Sequence, residues 1–343
     1  MNEIEWKNNY RVQVLVGLGV VIFLLLGYMF GIQPLLAEKD ATTQTSMQLM
    51  DTIVDIRVDD RKSEKLVAET FQIMQDLEKT LSRFIEQSDV SRINENVGEW
   101  VKVSESTLEV IQLGMEMGER SQGTFDITVG AVLDLWGFGS GDHYVPNDAE
   151  LEKTLVTVDY NKVEINMEEK QVRIPEGTVL DLGGIAKGYV VEQGIEFLRS
   201  KKVVRAIINA GGDISVIGRR PDDNPWRVGV QDPKKPTEIR WVLPLENTTV
   251  VTSGDYQRYF EHGGRRWHHI IDPRSGYPAD DLHSVTIVGE NAAICDAIST
   301  AVFVLGWEKG IEFMERSADV EGILVGSDDV WISPGLAKVI LTQ

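Results

Sequence analysis

Cysteine is nearly absent: Cys295 is the only one in 343 residues, so no disulfide can close within the chain. No Cys/His cluster has zinc spacing, no Gly-x-Ser-x-Gly elbow is present, and no Gly-x-x-x-x-Gly-Lys-Ser/Thr loop occurs. These absences remove zinc-finger-like sites, the α/β-hydrolase nucleophile and the P-loop phosphotransferases. Positive charge is also short, with 34 Lys and Arg against 54 Asp and Glu and a net charge of −20. Such a surface repels a phosphate backbone, so no nucleic-acid partner is expected. A smaller anionic ligand would need a metal ion or backbone dipoles to offset that field. Internal repeats and low-complexity tracts are missing too. What remains, 42% hydrophobic and 26% charged, is the composition of a globular protein.

Charge disappears altogether from Val12 to Ala37, and Val14 to Phe30 is almost continuously apolar. A bilayer core needs about 20 such residues in a helix, so residues 12–32 are expected to span a membrane as an uncleaved signal anchor. A cleaved signal peptide is the alternative, with Ala37 as a small residue at the cleavage point, although the apolar run exceeds the usual length. No cysteine follows the run, which excludes a lipoprotein anchor there. Lys7 and Arg11 favour an inside N-terminus, because acids such as Glu3 and Glu5 contribute little to orientation. The expected organisation is a short segment 1–11, the anchor 12–32, a polar linker 33–47 and a catalytic domain 48–343. That domain would lie outside the cytoplasmic membrane in a single-pass protein.

Beyond the linker, Met50 to Val58 alternates as a strand. Ser63 to Phe84 has a helical apolar stripe through Leu66, Phe71, Met74, Leu77 and Leu81. Residues 91–96 read as loop. Ser104 to Arg120 reads as a helix capped by Ser104. Strand-like runs follow at 154–158, 162–166 and 171–174, then a glycine turn and helix over 183–201. Further strands are expected at 206–209, 226–231, 248–253, 284–288, 322–325 and 329–332, with helices at 291–305 and 308–317. Clustered strands with helices at intervals predict an α+β fold, and the length predicts two intimately packed α+β subdomains behind the transmembrane helix.

Three places concentrate polar chemistry. Asp181-Leu182-Gly183-Gly184 joins the strand-like Thr178-Val179-Leu180 to a helix, so the backbone is exposed at a helix N-terminus that favours anions. Asp181 there either binds a cation or ligand hydroxyl, or simply caps the turn. Asp296 and Thr300 share one face of the apolar helix that begins near Ala292. A carboxylate in that setting calls for a cation with oxygen ligands, or for an arginine partner with the threonine bonded to its own backbone. His269 lies just before Asp272-Pro273-Arg274-Ser275-Gly276, a turn, where it can act as a base near neutral pH or serve as a structural histidine.

Taken together and in order, these segments resemble the FAD:protein FMN transferases of the ApbE family. The matching stretches are Leu81-Ser82-Arg83-Phe84, Ser88 to Asn94, Gly123 to Gly130 and Leu135 to Gly139. They continue with Asp181 to Gly188, Asn209 to Asp213, Thr252 to Tyr256 and His269 to Pro273. The resemblance covers roughly residues 48 to 340.

It implies an α+β enzyme that splits magnesium-bound FAD and attaches FMN through a phosphoester bond to a threonine of an acceptor protein, releasing AMP. By motif, Met50, Phe84, Thr124, Phe125, Asp126, Asp181, Lys187 and Ile270 would contact FAD. The Gly184 carbonyl with Asp296 and Thr300 would hold Mg2+, and His269 would be the base on the acceptor threonine. Met50-Asp51-Thr52 stands where the family has Met-Gly-Thr. Ser299 stands where many relatives have Asp, which argues against Ser299 as a ligand. The implied partners are FAD, the membrane and threonine-bearing domains of membrane-associated redox proteins, such as subunits of NADH:quinone reductase-type or Rnf-type complexes. An FAD pyrophosphatase giving FMN and AMP, and a non-catalytic FAD-binding module, are the alternatives.

Overall fold

The computed structural model describes residues 42–139 and 141–342. The segment 1–11, the anchor expected at 12–32 and most of the linker lie outside the described residues. Among the described residues no helix is long and apolar enough to cross a membrane.

Alternation builds the first hairpin. In β2 (Thr52–Asp59) Val54, Ile56 and Val58 point to one side and are fully buried. Its partner β1 (Thr42–Leu49) pairs antiparallel with it, from Thr42 opposite Asp59 to Leu49 opposite Thr52. Residues 42–47, read above as the end of a polar linker, therefore belong to a strand. Its polar side chains suit an edge position with one face in water. Met50 and Asp51 make the turn with φ of 53° and 56°, so Met50 is a turn residue and not the start of the strand.

The hairpin opens an eight-stranded sheet of order β1-β2-β6-β7-β10-β13-β14-β15, antiparallel throughout. The added strands are β6 (Ala206–Ala210), β7 (Asp213–Ile217), β10 (Thr249–Gly254), β13 (Leu282–Gly289), β14 (Val320–Gly326) and β15 (Val330–Ile332). Alternate residues feed two different cores. Ile217, Val251, Val285, Ile287 and Leu324 join the large cluster beneath the helices. Val216, Val250, Ile323 and Val325 face a second sheet of β8 (Trp226–Asp232), β9 (Lys235–Leu245) and β16 (Leu341–Thr342). A third small sheet joins β3 (Val101–Lys102), β5 (Gln171–Arg173) and β4 (Glu164–Asn166). A separate hairpin pairs β11 (Tyr259–His262) with β12 (Arg265–His268).

Helices α1 (Ser63–Leu81), α6 (Ala186–Ser200) and α7 (Ala292–Arg316) lie side by side on the main sheet. The helix break expected after residue 305 is at Gly306, whose φ of 79° interrupts α7. Between α1 and α6 the chain adds α2 (Asp89–Glu95), α3 (Glu105–Arg120), α4 (Gly130–Leu135) and α5 (Asp148–Leu155). The buried Val90, Ile93, Ile111 and Val172 of this stretch belong to the same large core.

Local details explain the departures from the sequence reading. Segment 91–96 is mostly helix, because Ser88 accepts from the Ser91 N–H and Val90 and Ile93 are buried. Residues 154–158 complete α5 and a turn instead of a strand. Asn147 and Glu150 form a capping box there, and Leu151, Leu155 and Val158 join the cluster around the buried Trp136. Thr178 to Leu180 contributes only one parallel bridge, Val179 to Val129. Ser104 caps α3 as expected, accepting from Thr107 N–H at 3.2 Å.

The first turn of α6 meets α7 backbone to backbone. A Cβ on Gly188 would sit 2.3 Å from the Ala292 carbonyl and 2.6 Å from Asp296 Cβ. Alanine normally favours a helix over glycine by about 1 kcal/mol, but here overpacking of about 1–3 kcal/mol outweighs it. Gly188→Ala should therefore lower the melting temperature in thermal unfolding followed by circular dichroism. A raised melting temperature would show that the two helices separate freely.

Candidate active site

The turn leading into α6 is held from within. Asp181 accepts from the Gly183 N–H through Oδ1 at 2.7 Å, and its Oδ2 lies 2.6 Å from Arg83 Nε. Arg83 also grips Asp134 with two hydrogen bonds of 3.0 and 2.8 Å. Asp181 is thus a turn-capping, ion-paired carboxylate. Arg83 was not singled out from the sequence as a site residue, although its Leu-Ser-Arg-Phe stretch was. Its guanidinium stacks on the Phe84 ring at 4.6 Å, and that ring is half exposed at the cavity mouth.

Across the cavity, α7 presents Asp296 and Thr300 one turn apart, as their spacing predicts. Asp296 is buried and accepts from the Gly188 N–H at 2.8 Å. Gly184 packs on Thr300, since a Cβ there would lie 3.5 Å from Oγ1. Ser299 turns the other way: its hydroxyl donates to the Asp296 carbonyl at 2.8 Å and meets Ser253 Oγ at 2.7 Å. In place of the alternative arginine partner, Asp296 has Lys187 and Asp213 nearby. Burial and the Asp213 charge push its carboxyl well above the ordinary range, while Lys187 and the Gly188 N–H oppose the shift.

Lys187 Nζ lies 2.7 Å from Asp213 Oδ2, and Asp213 is wholly buried. Burial works against the Lys187 charge, yet Asp213 and Asp296 outweigh it and hold its pKa above the usual value. Burial raises Asp213 in turn, and Lys187 restrains it. Asp213 is a site residue not picked out from the sequence, where the only signal is its place after Asn209-Ala210-Gly211-Gly212.

His269 follows β12 directly. Its backbone N–H donates to the Arg258 carbonyl at 3.1 Å, and its Nδ1 lies 3.1 Å from the same oxygen. A carbonyl only accepts, so this contact assigns the proton to Nδ1 and leaves the Nε2 lone pair free. Burial, then the Arg258 guanidinium and His268, with a smaller contribution from Lys187, push the imidazole down to about 3. The ring is therefore neutral over the physiological range, which leaves Nε2 able to accept a proton. His268 is buried separately, with Nε2 donating to the Ala279 carbonyl at 2.6 Å.

One cavity of about 570 Å³ gathers every site residue named from the sequence. Met50, Phe84, Thr124, Phe125, Asp126 and Asp181 line it together with Gly184, Lys187, His269, Ile270, Asp296 and Thr300. A second concavity, of about 610 Å³ beside Trp267 and Asp281, contains none of them. Two of these side chains also bond within the protein. Asp126 is engaged by Thr128 N–H and Oγ1 at 2.7 and 2.6 Å and by Tyr160 N–H at 3.1 Å. The Thr124 hydroxyl bonds the Ser121 and Ala301 carbonyls. Both hold the 124–128 loop in place, which leaves their backbone for ligand contact. Met50 gives its N–H to Glu78 Oε1 at 2.6 Å.

Among the described residues no group of three or more His, Cys, Asp or Glu side chains could hold a metal. The donor chemistry of Gly184, Asp296 and Thr300 is instead one carboxylate with a hydroxyl and a carbonyl. Hard oxygen donors and a buried carboxylate would suit a magnesium ion, which Gly184, Asp296 and Thr300 would hold.

A cavity of this volume with a helix N-terminus, a wall of hard oxygens and a neutral imidazole has the chemistry of an enzyme site for an anionic small molecule. The chain belongs to the ApbE family, whose model matches residues 50–324. The FAD:protein FMN transferase of Klebsiella pneumoniae is 34% identical over 266 residues, covering 76% of this chain and 82% of that protein. The enzyme of the same name from Treponema pallidum is 31% identical over 280 residues, covering 76% of each. The crystal structure of the ApbE protein from Thermotoga maritima superposes with a TM-score of 0.82 at 32% identity, covering 87% of this chain and 99% of that one. Flavin transferase ApbE from Vibrio cholerae gives 0.78 at 26% identity, with the same coverage.

The Lys187–Asp213 pair yields a stability prediction. Lys187→Met would leave a buried carboxylate without its counter-charge, which typically costs about 3–5 kcal/mol. Without lysine the Asp213 pKa in the fold rises further above its unfolded value. The destabilisation is then greatest above that raised pKa and is relieved as pH falls and the carboxyl takes up a proton. Urea unfolding of Lys187→Met should show a deficit at pH 8 that narrows at pH 5. An equal deficit at both would mean that Asp213 keeps its charge without the lysine.

Proposed function

We propose that this chain is an FAD:protein FMN transferase that takes FAD as substrate and transfers FMN to a threonine of an acceptor protein, with AMP as the other product. The observation that carries the reading is a neutral His269, its Nε2 free, in the same cavity as the Gly184, Asp296 and Thr300 wall. FAD would lie with its pyrophosphate toward the N-terminus of α6 and its flavin toward the Phe84 mouth. Gly184, Asp296 and Thr300 would hold Mg2+, which when bound neutralises pyrophosphate charge. The threonine hydroxyl attacks the phosphorus of the FMN half, and its proton passes to His269 Nε2. The bridging P–O bond breaks, and AMP leaves with the bonding electrons. Such a reaction needs positioning and charge neutralisation more than covalent chemistry by the enzyme.

The acceptors are proposed to be threonine-bearing domains of membrane-associated redox proteins. The support is the apolar run 12–32, which would tether the domain outside the cytoplasmic membrane and raise the effective concentration of such partners.

Incubation with FAD, Mg2+ and a threonine-bearing acceptor domain should give flavin-labelled acceptor and AMP. AMP without label would indicate hydrolysis, and unchanged FAD would indicate binding alone. His269→Ala should slow labelling by about 10²–10⁴-fold while FAD affinity changes little. Normal turnover with poor FAD affinity would make His269 a binding residue.

The address has its own test. Protease added to intact spheroplasts should digest the domain beyond residue 38 while the anchor stays in the membrane. Protection until lysis would place the domain inside, and a soluble form beginning near Glu38 would show a cleaved signal.

A further inference from the structure

Among the described residues, three cationic side chains line the cavity: Arg83, Lys187 and Arg258. Two are matched by carboxylates, Arg83 by Asp134 and Asp181, and Lys187 by Asp213. Arg258 is not. Its side chain is exposed, no ion pair engages it among the described residues, and its hydrogen bond to the Phe138 carbonyl is long at 3.5 Å. In a chain of net charge −20, a guanidinium on a cavity wall with no acid beside it is a vacant anion partner. Its planar fork matches phosphate oxygens two at a time. The residue's backbone places it beside the base, because the Arg258 carbonyl accepts both the His269 N–H and the His269 Nδ1 proton.

We propose that Arg258 is a further catalytic residue, whose guanidinium binds the FAD pyrophosphate and stabilises the charge that develops on it during transfer. The inference rests on the transferase reading above. As the threonine oxygen bonds to phosphorus and the bridging P–O bond breaks, negative charge grows on the phosphoryl oxygens and on the departing AMP. The threonine proton goes to His269, and Arg258 stays protonated throughout. Arg83 cannot take this part while it holds Asp181 and Asp134.

The test uses Arg258→Gln, which keeps the carbonyl that orients His269, and Arg258→Lys, which keeps a charge without the fork. Labelling of the acceptor at saturating FAD should fall about 100-fold in Arg258→Gln, as for loss of one preorganised charge-stabilising donor. FAD affinity, read from flavin fluorescence, should fall about tenfold, the loss of one charged contact, while riboflavin affinity is unchanged. Arg258→Lys should recover part of both. A normal labelling rate in Arg258→Gln would overturn the proposal, as would equal loss of FAD and riboflavin affinity. A wild-type protein that labels no acceptor would overturn the transferase reading instead, and the FAD-against-riboflavin comparison would still decide whether Arg258 meets the pyrophosphate.

Discussion

The hydrogen bond from the Gly188 N–H to the Asp296 carboxylate is the contact on which the site depends. It exists because glycine at 188 lets the first turn of α6 press against the backbone of α7. That approach fixes Gly184 against Thr300 and brings the carboxylate to the start of a helix, where backbone dipoles favour negative charge. It also aligns Lys187, one residue earlier, between Asp213 on the sheet and Asp296 on α7. The glycine, the buried acid and the lysine therefore form one interdependent unit.

This unit answers the question raised by the charge of the chain. An acidic protein can bind a dianionic nucleotide only where the local field is reversed. The cavity carries an ammonium, a guanidinium without an acid partner, a helix N-terminus and an oxygen wall suited to a divalent cation. Burial first, and then the nearby positive charge that makes the pocket attractive to phosphate, keep His269 unprotonated. The same field serves substrate binding and the state of the base.

Much of the site was legible because helical spacing is a strict geometric rule. Asp296 and Thr300 had to share a face wherever the helix lay, and the Gly183-Gly184 turn had to expose backbone. The order of the polar breaks then let the family resemblance assign roles, and the residues so named line one cavity. What escaped was long-range pairing. Nothing near Asp213 in sequence announces Lys187, and nothing near Arg83 announces Asp134 and Asp181. Thr124 and Asp126, assigned to ligand contact by the resemblance, line the cavity, and their bonds to the Ala301 carbonyl and to Thr128, which also hold their loop, could not be read from the sequence. The fold shows the same division. Alternation marked β2, and β10, β13 and β14 were expected as strands as well, but the polar edge strand β1 and the short helix α2 owe their form to a pairing partner and to a cap.

The central claim is that Asp296 is a metal-seeking carboxylate and His269 a base already neutral at physiological pH. The dependence of acceptor labelling on pH at limiting and saturating Mg2+ tests both at once. Asp296 has a raised pKa, so protons compete with the metal as pH falls, and added Mg2+ should displace the acid limb to lower pH. With Mg2+ saturating, no limb should remain near the ordinary imidazole value of about 6.5, because His269 titrates far below it. An acid limb that stays near that value whatever the Mg2+ concentration would contradict the account.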